Sequence, residues 1–484
     1  MRKYTALQIC LSLVTAVLLL SGCKKLLEID PPLASITTDE MFANNRQAEL
    51  AISGVYSKMI HGTAATGNAL NAESYFASGL STFAGGLSSD ELVLPATYNA
   101  GDLSVVQNKI TTASSRKSDA IWNSAYRTVF DATAVIEGIE ASASSELVQS
   151  VRDQLTGEAL ALRAFSYFYL VNNFGDLPLV LSSDSKKNLA LSRSPVAKVY
   201  EQIIADLVKA RSLMSSDFSF VNNNEKVRVN KWFAEALLAR VYLYTHQYQL
   251  AIASATEVIN QRSLFDLETD LAKVFLKGSK EAIFQLKQNG DDPVYKNGTP
   301  EGIRFLNNLN LPNISPDFRL SDQLLGSFEP NDKRKTTWVG VYPPYSTAAK
   351  YKNGQGLEYY VVMRLAEQYL IRAEAIAKGT PGNVKDAITD INLLRKRANI
   401  PELDENLPVT TVIDTIAHER RIELFAEWGH RWFDLKRTGK AAEVLPQLPY
   451  KQPWWGDYQL LYPIPDTDIK RNGQLEQNPE YNTH

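Results

Sequence analysis

The chain has 484 residues, of which 44% are hydrophobic and 22% are charged, and its formal net charge is −3. This composition is typical of a globular protein that is long enough to bury a large core. The weakly negative balance argues against nucleic acid as a partner, because no basic tract is present to neutralise phosphates.

The N-terminus predicts an export signal followed by a lipid attachment site. An apolar stretch at 6–20 follows a short basic leader, and it is shorter than the roughly 20 residues that a membrane-spanning helix needs. It ends in LSGC, which resembles the lipobox of bacterial lipoproteins. We therefore expect a signal peptide at 1–22, acylation of Cys23 and a proline-containing tether at 23–35. Since the other cysteine is Cys10, the mature chain would form no intrachain disulfide.

Hydrophobic residues at helical spacing dominate residues 36–484, which we interpret as one domain that is mainly α. The predicted helices form four pairs, and the pair at 230–260 has the spacing of tetratricopeptide repeats. Because the pairs do not recur at a fixed period of about 34 residues, we predict repeat-like hairpins in one superhelix. In chain order, the pairs are 39–59 with 118–139, 155–171 with a helix that begins after Ser194-Pro195, the two helices of 230–260, and 363–378 with 384–397.

Two long insertions, at 62–112 and 288–356, lack a helical period. The first is rich in glycine, serine and threonine, and the second is rich in proline and aromatic residues. Structureless segments of this length are usually functional loops or disordered, and the aromatic residues argue against disorder. We therefore predict irregular loops that carry the ligand site. The candidate ligand contacts are Trp338, Tyr342 and Tyr345 as a stacking platform, Asp90 and Asn99 as hydrogen-bonding groups, and Trp454 and Trp455 as a rival platform.

Common catalytic motifs are missing from the sequence, including the phosphate-binding loop, the nucleophile elbow and the dinucleotide-binding glycine motif. His418 and Glu419 begin like a zinc-protease helix, but the position of the second histidine is Ile422, which cannot bind metal. With five scattered histidines, we expect no metal cluster. A glycosidase needs only two carboxylates about 5 to 10 Å apart, so that alternative stays open at this point.

The stretch 419–439, ERRIELFAEWGHRWFDLKRTG, concentrates acids, bases and aromatic residues. One interpretation is a catalytic acid and base among Glu427, His430 and Asp434. We favour a buried charge network that orients the last helix, because opposite charges recur at steps of three and four along a predicted helix. These charges are Arg420, Glu423, Glu427 and Arg431.

Five blocks of the sequence carry a resemblance to a known family. They are GEALALRAFSYFYLVNNFGDLPLV at 157–180, RLAEQYLIRAEAIA at 364–377, INLLRKRA at 391–398, ERRIELFAEWGHRWFDLKRTG at 419–439 and LYPIPDTDIKRNGQLEQNPEY at 461–481. Together with the lipobox, they resemble the SusD/RagB family of outer-membrane nutrient-binding lipoproteins. One departure is Glu480, where the family usually has glycine.

The resemblance implies a fold, a location and a function. The fold would be a SusD-like superhelix of four tetratricopeptide-like hairpins with long irregular loop insertions. The protein would lie at the cell surface, lipid-anchored in the outer membrane, on a SusC-like TonB-dependent transporter. It would bind oligosaccharide or polysaccharide without cleaving it and without a cofactor. The alternatives are a peptide-binding member of the family and a surface glycoside hydrolase.

Overall fold

The structure is a computed structural model that describes residues 38–62, 75–95, 100–288, 298–306, 316–352 and 356–481. The predicted signal peptide, Cys23, the tether and Asn99 lie outside the described residues. The α-helices are α1 (Thr38–Met41), α2 (Asn45–His61), α3 (Ser81–Ser88), α4 (Ala100–Val106), α5 (Arg116–Ala141), α6 (Gln149–Phe174), α7 (Ser185–Asn188), α8 (Val196–Leu213), α9 (Lys231–Tyr244), α10 (Tyr248–Ile259), α11 (Pro300–Leu306), α12 (Asp322–Leu325), α13 (Lys333–Trp338), α14 (Leu365–Gly379), α15 (Val384–Ala398), α16 (Val409–Glu423), α17 (His430–Arg437), α18 (Ala441–Val444) and α19 (Asp466–Arg471).

The described strands are short and form three two-stranded antiparallel sheets. They are β1 (Leu92–Val93), β2 (Ala282–Leu286), β3 (Arg319–Leu320), β4 (Val339–Tyr342), β5 (Tyr345–Ala348) and β6 (Tyr360–Arg364). The pairs are β1 with β3, β2 with β6, and β4 with β5. The protein is therefore mainly helical, as the sequence predicts.

The eight helices of the predicted pairs pack in the four expected pairs, which are α2 with α5, α6 with α8, α9 with α10, and α14 with α15. Neighbouring pairs also touch, through α5 and α6, α8 and α9, and α10 and α14. Local signals set several helix starts. For example, the side chain of Asn230 accepts hydrogen bonds from the backbone N–H groups of Trp232 and Phe233, which caps the first turn of α9. None of the described helices is both long and apolar enough to cross a membrane.

The first insertion is not irregular throughout, and this part of the prediction is wrong. A π-helical turn at Phe76–Leu80 leads directly into α3, and every residue of α3 is buried. A helix that is covered on all sides shows no amphipathic period, so the spacing of its apolar residues gives no signal. Its glycines let other segments approach closely: a Cβ added to Gly85 would lie 2.6 Å from the Cα of Gly429.

The two insertions meet each other on the scaffold. In the β1–β3 sheet, Leu92 pairs with Leu320 and Val93 pairs with Arg319. Next to this sheet, Phe83 stacks on Phe318 with 4.6 Å between ring centroids. One hydrophobic cluster contains residues of both insertions and of the helical hairpins, while a smaller cluster lies among α14, α15 and α16. The described parts of the insertions thus belong to the main core and are not attached to its surface.

The C-terminal turn has the backbone that the resemblance implies. Glu480, which stands at the position where the family usually has glycine, has a φ of +70°. Glycine is favoured at such a φ because a Cβ crowds the backbone there. The turn is therefore of the glycine type although the residue is glutamate.

Candidate functional site

The segment 419–439 is not one continuous helix. Helix α16 ends at Glu423 and α17 begins at His430, and the connection contains residues with positive φ at Ala426, Trp428 and Gly429. The prediction that its charges pair along one helix is therefore wrong. In this connection the side chain of Trp428 lies in the core, and the backbone N–H of Trp428 donates to Thr82 Oγ1 at 2.6 Å.

Buried ion pairs with distant elements satisfy the acids of this segment instead. Arg364 Nε donates to Glu427 Oε2 at 2.8 Å, and Arg364 Nη1 donates to Glu423 Oε1 at 2.7 Å. Lys350 also pairs with Glu427, and Arg334 Nη1 lies 3.1 Å from Glu423 Oε2. Burial alone would raise the pKa of Glu427, but the charges of Arg364 and Lys350 outweigh it and hold that pKa below its ordinary value. Glu427 is therefore a buried, ionised partner of two cations.

In the second half of the segment, Asp434 pairs with arginines of the segment itself. Asp434 accepts from Arg420 at 2.8 Å and from Arg437 at 2.7 Å, and the charges of these arginines overcome burial and lower its pKa. Burial lowers the pKa of His430 to about 4, so the imidazole is neutral near pH 7. These contacts form the buried charge network that we favoured from the sequence. The Arg437–Asp434 pair lies within α17, and the others join α16, α17 or the connection between them to another element.

Asp90 belongs to this network and does not face solvent, which corrects its assignment as a hydrogen-bonding group for a ligand. Its side chain accepts from Arg431 Nε at 2.7 Å, and Arg421 Nη2 lies 2.8 Å away. Burial opposes ionisation of Asp90, but the two arginines hold its pKa below the ordinary value. The carboxylate therefore ties the first insertion to α16 and α17.

Trp338 is also buried, which corrects its assignment to a stacking platform. Its side chain is 1% exposed, and its indole N–H donates to the carbonyl of Leu271 at 3.0 Å. Lys350 Nζ lies 4.8 Å from the ring centroid and the Phe275 ring packs at 5.6 Å. A ring without an open face cannot stack on a ligand, so Trp338 fixes the second insertion to the scaffold.

Tyr342 and Tyr345 lie together at the turn of the β4–β5 hairpin, where they are paired across the two strands. Tyr342 is 37% exposed and the neighbouring Val341 is 78% exposed. Tyr345 is half-buried, with the guanidinium carbon of Arg319 3.1 Å from its ring centroid. The hairpin therefore exposes apolar surface to solvent. Through Arg319 it also contacts the β1–β3 sheet, where the two insertions meet.

Trp454 and Trp455 lie on a second exposed segment next to the first insertion. Trp455 is 41% exposed, whereas Trp454 packs partly against the main core. The segment is held by Lys451, whose buried Nζ donates to the carbonyls of Leu87, Ser88 and Val106. Burial lowers the pKa of Lys451 well below its ordinary value.

Sequence reasoning missed two basic residues beside these aromatic candidates, Arg319 and Lys109. Lys109 Nζ lies 5.3 Å from the centroid of Trp455. A local signal existed for Lys109, because 103–118 contains no acidic residue with which it could pair. Arg319 has acidic neighbours in the sequence, and only the tertiary structure shows that they do not bind it. Within the described ranges, no three His, Cys, Asp or Glu side chains form a group that could hold a metal ion.

Comparison with known proteins identifies relatives of this chain by sequence and by fold. A family model described as "SusD family" matches residues 327–481, and one described as "Starch-binding associating with outer membrane" matches residues 71–243. SusD-like protein P2 of Formosa agariphila is 27% identical, with 99% of this chain and 100% of the relative covered.

Two solved structures are similar in fold. A SusD superfamily protein from Bacteroides vulgatus has a TM-score of 0.76 at 18% identity, with 90% of this chain and 99% of that chain covered. A structure described as "Laminarin binding SusD-like protein" has a TM-score of 0.73 at 23% identity, with 91% of this chain and 100% of that chain covered. The chain belongs to the SusD/RagB family.

Proposed function

We propose that this protein binds an oligosaccharide or polysaccharide at the cell surface, without cleaving it, and delivers it to a SusC-like TonB-dependent transporter in the outer membrane. The observation that carries the proposal is the exposure of Tyr342 on the second insertion and of Trp455 on a segment that Lys451 holds to the first insertion. An aromatic face offers apolar area to the C–H face of a sugar ring. The starch-binding description of one family model and the laminarin-binding relative support the same class of ligand.

The state of the buried carboxyl groups favours binding over hydrolysis. Burial raises the pKa of Glu91 and of Glu301 to about 8, a property that glycosidases use in their acid. Both side chains are nevertheless inaccessible, since they are 1% and 2% exposed. Glu301 accepts hydrogen bonds from Thr82 and Tyr360, which places it inside the core. A glycosidic bond could not reach either group.

Calorimetric titration of the protein against a glycan panel tests the proposal. Tyr342→Ala and Trp455→Ala should each weaken binding about tenfold, with unchanged melting temperatures, because an exposed stacking ring contributes to affinity and little to folding. Leu189→Ala is the matched control, since Leu189 is 55% exposed on a segment outside both insertions. New reducing ends on the bound glycan would show a hydrolase instead. Saturable binding on a peptide library, with none on glycans, would favour the peptide-binding alternative.

The membrane and transporter parts of the proposal rest on the lipobox and on family membership. Cys23→Ala should release the protein from membrane fractions, and the wild-type protein should carry acyl mass at Cys23. The wild-type protein should also co-purify with a TonB-dependent transporter. A Cys23→Ala variant that stays with the membrane would contradict the predicted anchor.

A further inference from the structure

Arg319 has an unusual environment for an arginine in the insertions. Its guanidinium lies against the ring of Tyr345, and in the described part of the chain no carboxylate forms an ion pair with it. Its Nε is buried without a hydrogen-bond partner. The side chain as a whole is only half-buried. The cation therefore packs against an aromatic face, while its Nε has no hydrogen-bond partner among the described residues.

Lys109 repeats this arrangement at the other aromatic candidate. Its ammonium group lies near the face of Trp455 and donates to the carbonyl of Gln452 at 3.1 Å. Among the described residues, no acidic side chain pairs with it. Tyr345 and Trp455 therefore each have an adjacent cation that no acidic side chain of the described residues neutralises.

Two other cations in or next to these insertions are neutralised. Arg304 pairs with Asp317 at 2.7 Å, and Lys117 pairs with Asp102 at 2.9 Å. Asp317 is only two residues from Arg319 in the sequence, yet it binds Arg304. The lack of a partner for Arg319 is thus not a consequence of a segment that contains no acids.

We propose that the glycan bound at these aromatic candidates is anionic, with carboxylate or sulfate groups that pair with Arg319 and Lys109. A planar guanidinium can donate two parallel hydrogen bonds to a carboxylate or sulfate, and hydrogen bonds to a charged acceptor are stronger than those to a hydroxyl. A neutral glycan would restrict the hydration of both cations and provide no counter-ion. The inference rests on the proposed function, and it specifies the chemical class of the ligand.

Titrations of the full-length protein in detergent with paired glycans test the inference. Oligogalacturonate supplies carboxylates and a κ-carrageenan oligosaccharide supplies sulfate esters, and each is compared with its neutral counterpart, carboxyl-reduced or desulfated. At least one anionic probe should bind about tenfold or more tightly than its neutral counterpart. Its affinity should fall as salt concentration rises. The probe that shows the difference identifies the anionic group.

Charge variants connect the preference to the two cations. Arg319→Gln and Lys109→Gln should each weaken binding of the anionic probe about tenfold and reduce the preference for that probe over its neutral counterpart, and Arg319→Lys should restore part of the loss. Arg262→Gln is the control, because Arg262 is an exposed arginine outside both insertions, with a side chain that is 59% exposed. Melting temperatures identify a variant that fails to fold, and the two sites provide independent tests.

Equal affinity for the charged and neutral members of both pairs would overturn the inference, as would unchanged binding in both glutamine variants. Binding restricted to neutral glycans would also overturn it, while the proposed function would stand. If no carbohydrate of either kind binds saturably, the proposed function fails and the inference fails with it.

Discussion

At the scale of single residues, Arg364 holds three carboxylates together in the core. Its side chain is 2% exposed and pairs with Glu281, Glu423 and Glu427. Arg364→Met should lower the free energy of unfolding by about 3 to 5 kcal/mol, because buried acids lose their counter-ion. Urea unfolding measures the change. Arg127→Met is the control, since Arg127 is 52% exposed in its pair with Asp131 and should cost less than about 1 kcal/mol. Equal stability of the Arg364 variant and the wild type would contradict a role for the network in folding.

The raised pKa of Glu301 predicts that the free energy of unfolding depends on pH. Its pKa is about 8 in the folded protein, first because of burial and also because of the nearby Glu427, against an ordinary value of 4.5. Between these two values the folded state retains a proton on Glu301 that the unfolded state has lost. The stability contribution of this proton is therefore complete below about pH 4.5, falls as pH rises from there, and is lost above about pH 8. For this group the slope approaches −1.4 kcal/mol per pH unit.

Comparing Glu301→Gln with the wild type isolates this contribution. The amide keeps an oxygen that accepts from Thr82 and Tyr360 but cannot ionise. Urea unfolding at pH 6 and at pH 9 should show a smaller loss of stability for the variant than for the wild type. Identical losses would mean that Glu301 does not titrate in this range.

At the scale of elements, the contact between α3 and the turn before α17 depends on two glycines. A Cβ at Gly85 would lie 2.6 Å from Gly429 Cα, and backbone cannot move away as a side chain can. Gly85→Ala should therefore destabilise the protein by about 1 to 3 kcal/mol. The matched control is Gly54→Ala in α2, where nothing lies within 4 Å of the added Cβ. That control should be neutral or stabilising by up to about 1 kcal/mol, and thermal unfolding compares the two. A stable Gly85→Ala variant would show that α3 can shift.

At the scale of the whole molecule, the insertions and the hairpins share one main core. Phe83, Trp338 and Phe165 all belong to the same cluster. Trp338→Ala should therefore cost about 3 to 5 kcal/mol and move the entire unfolding transition, rather than detach the second insertion. Differential scanning calorimetry should show one transition in both proteins. A separate low-temperature transition in the variant would mean that the insertion unfolds independently.

Helical pairing could be predicted from the sequence because the signal is local. Apolar residues three and four positions apart lie on one helix face whatever surrounds them, so α9 and α10, for example, are found close to their predicted range of 230–260. Completely buried helices such as α3 lack that signal. The sequence prediction also missed the break between Glu423 and His430. Charged and apolar residues keep helical spacing across this stretch of the sequence, although the backbone is not helical there.

The sequence by itself determined the helical class, the four pairs and the aromatic and charged residues available for a site, because composition and short-range periodicity are properties of neighbouring residues. The tertiary structure alone decided which of those residues are open to solvent. Asp90 forms a buried ion pair with Arg431, which is 341 positions away along the chain. Lys350 and Phe275 pack against the ring of Trp338. The same packing leaves Tyr342 and Trp455 exposed, and it places Arg319 and Lys109 beside aromatic rings where no carboxylate of the described residues pairs with them. Burial and ion pairing join residues that are distant in sequence, so no local pattern contains them.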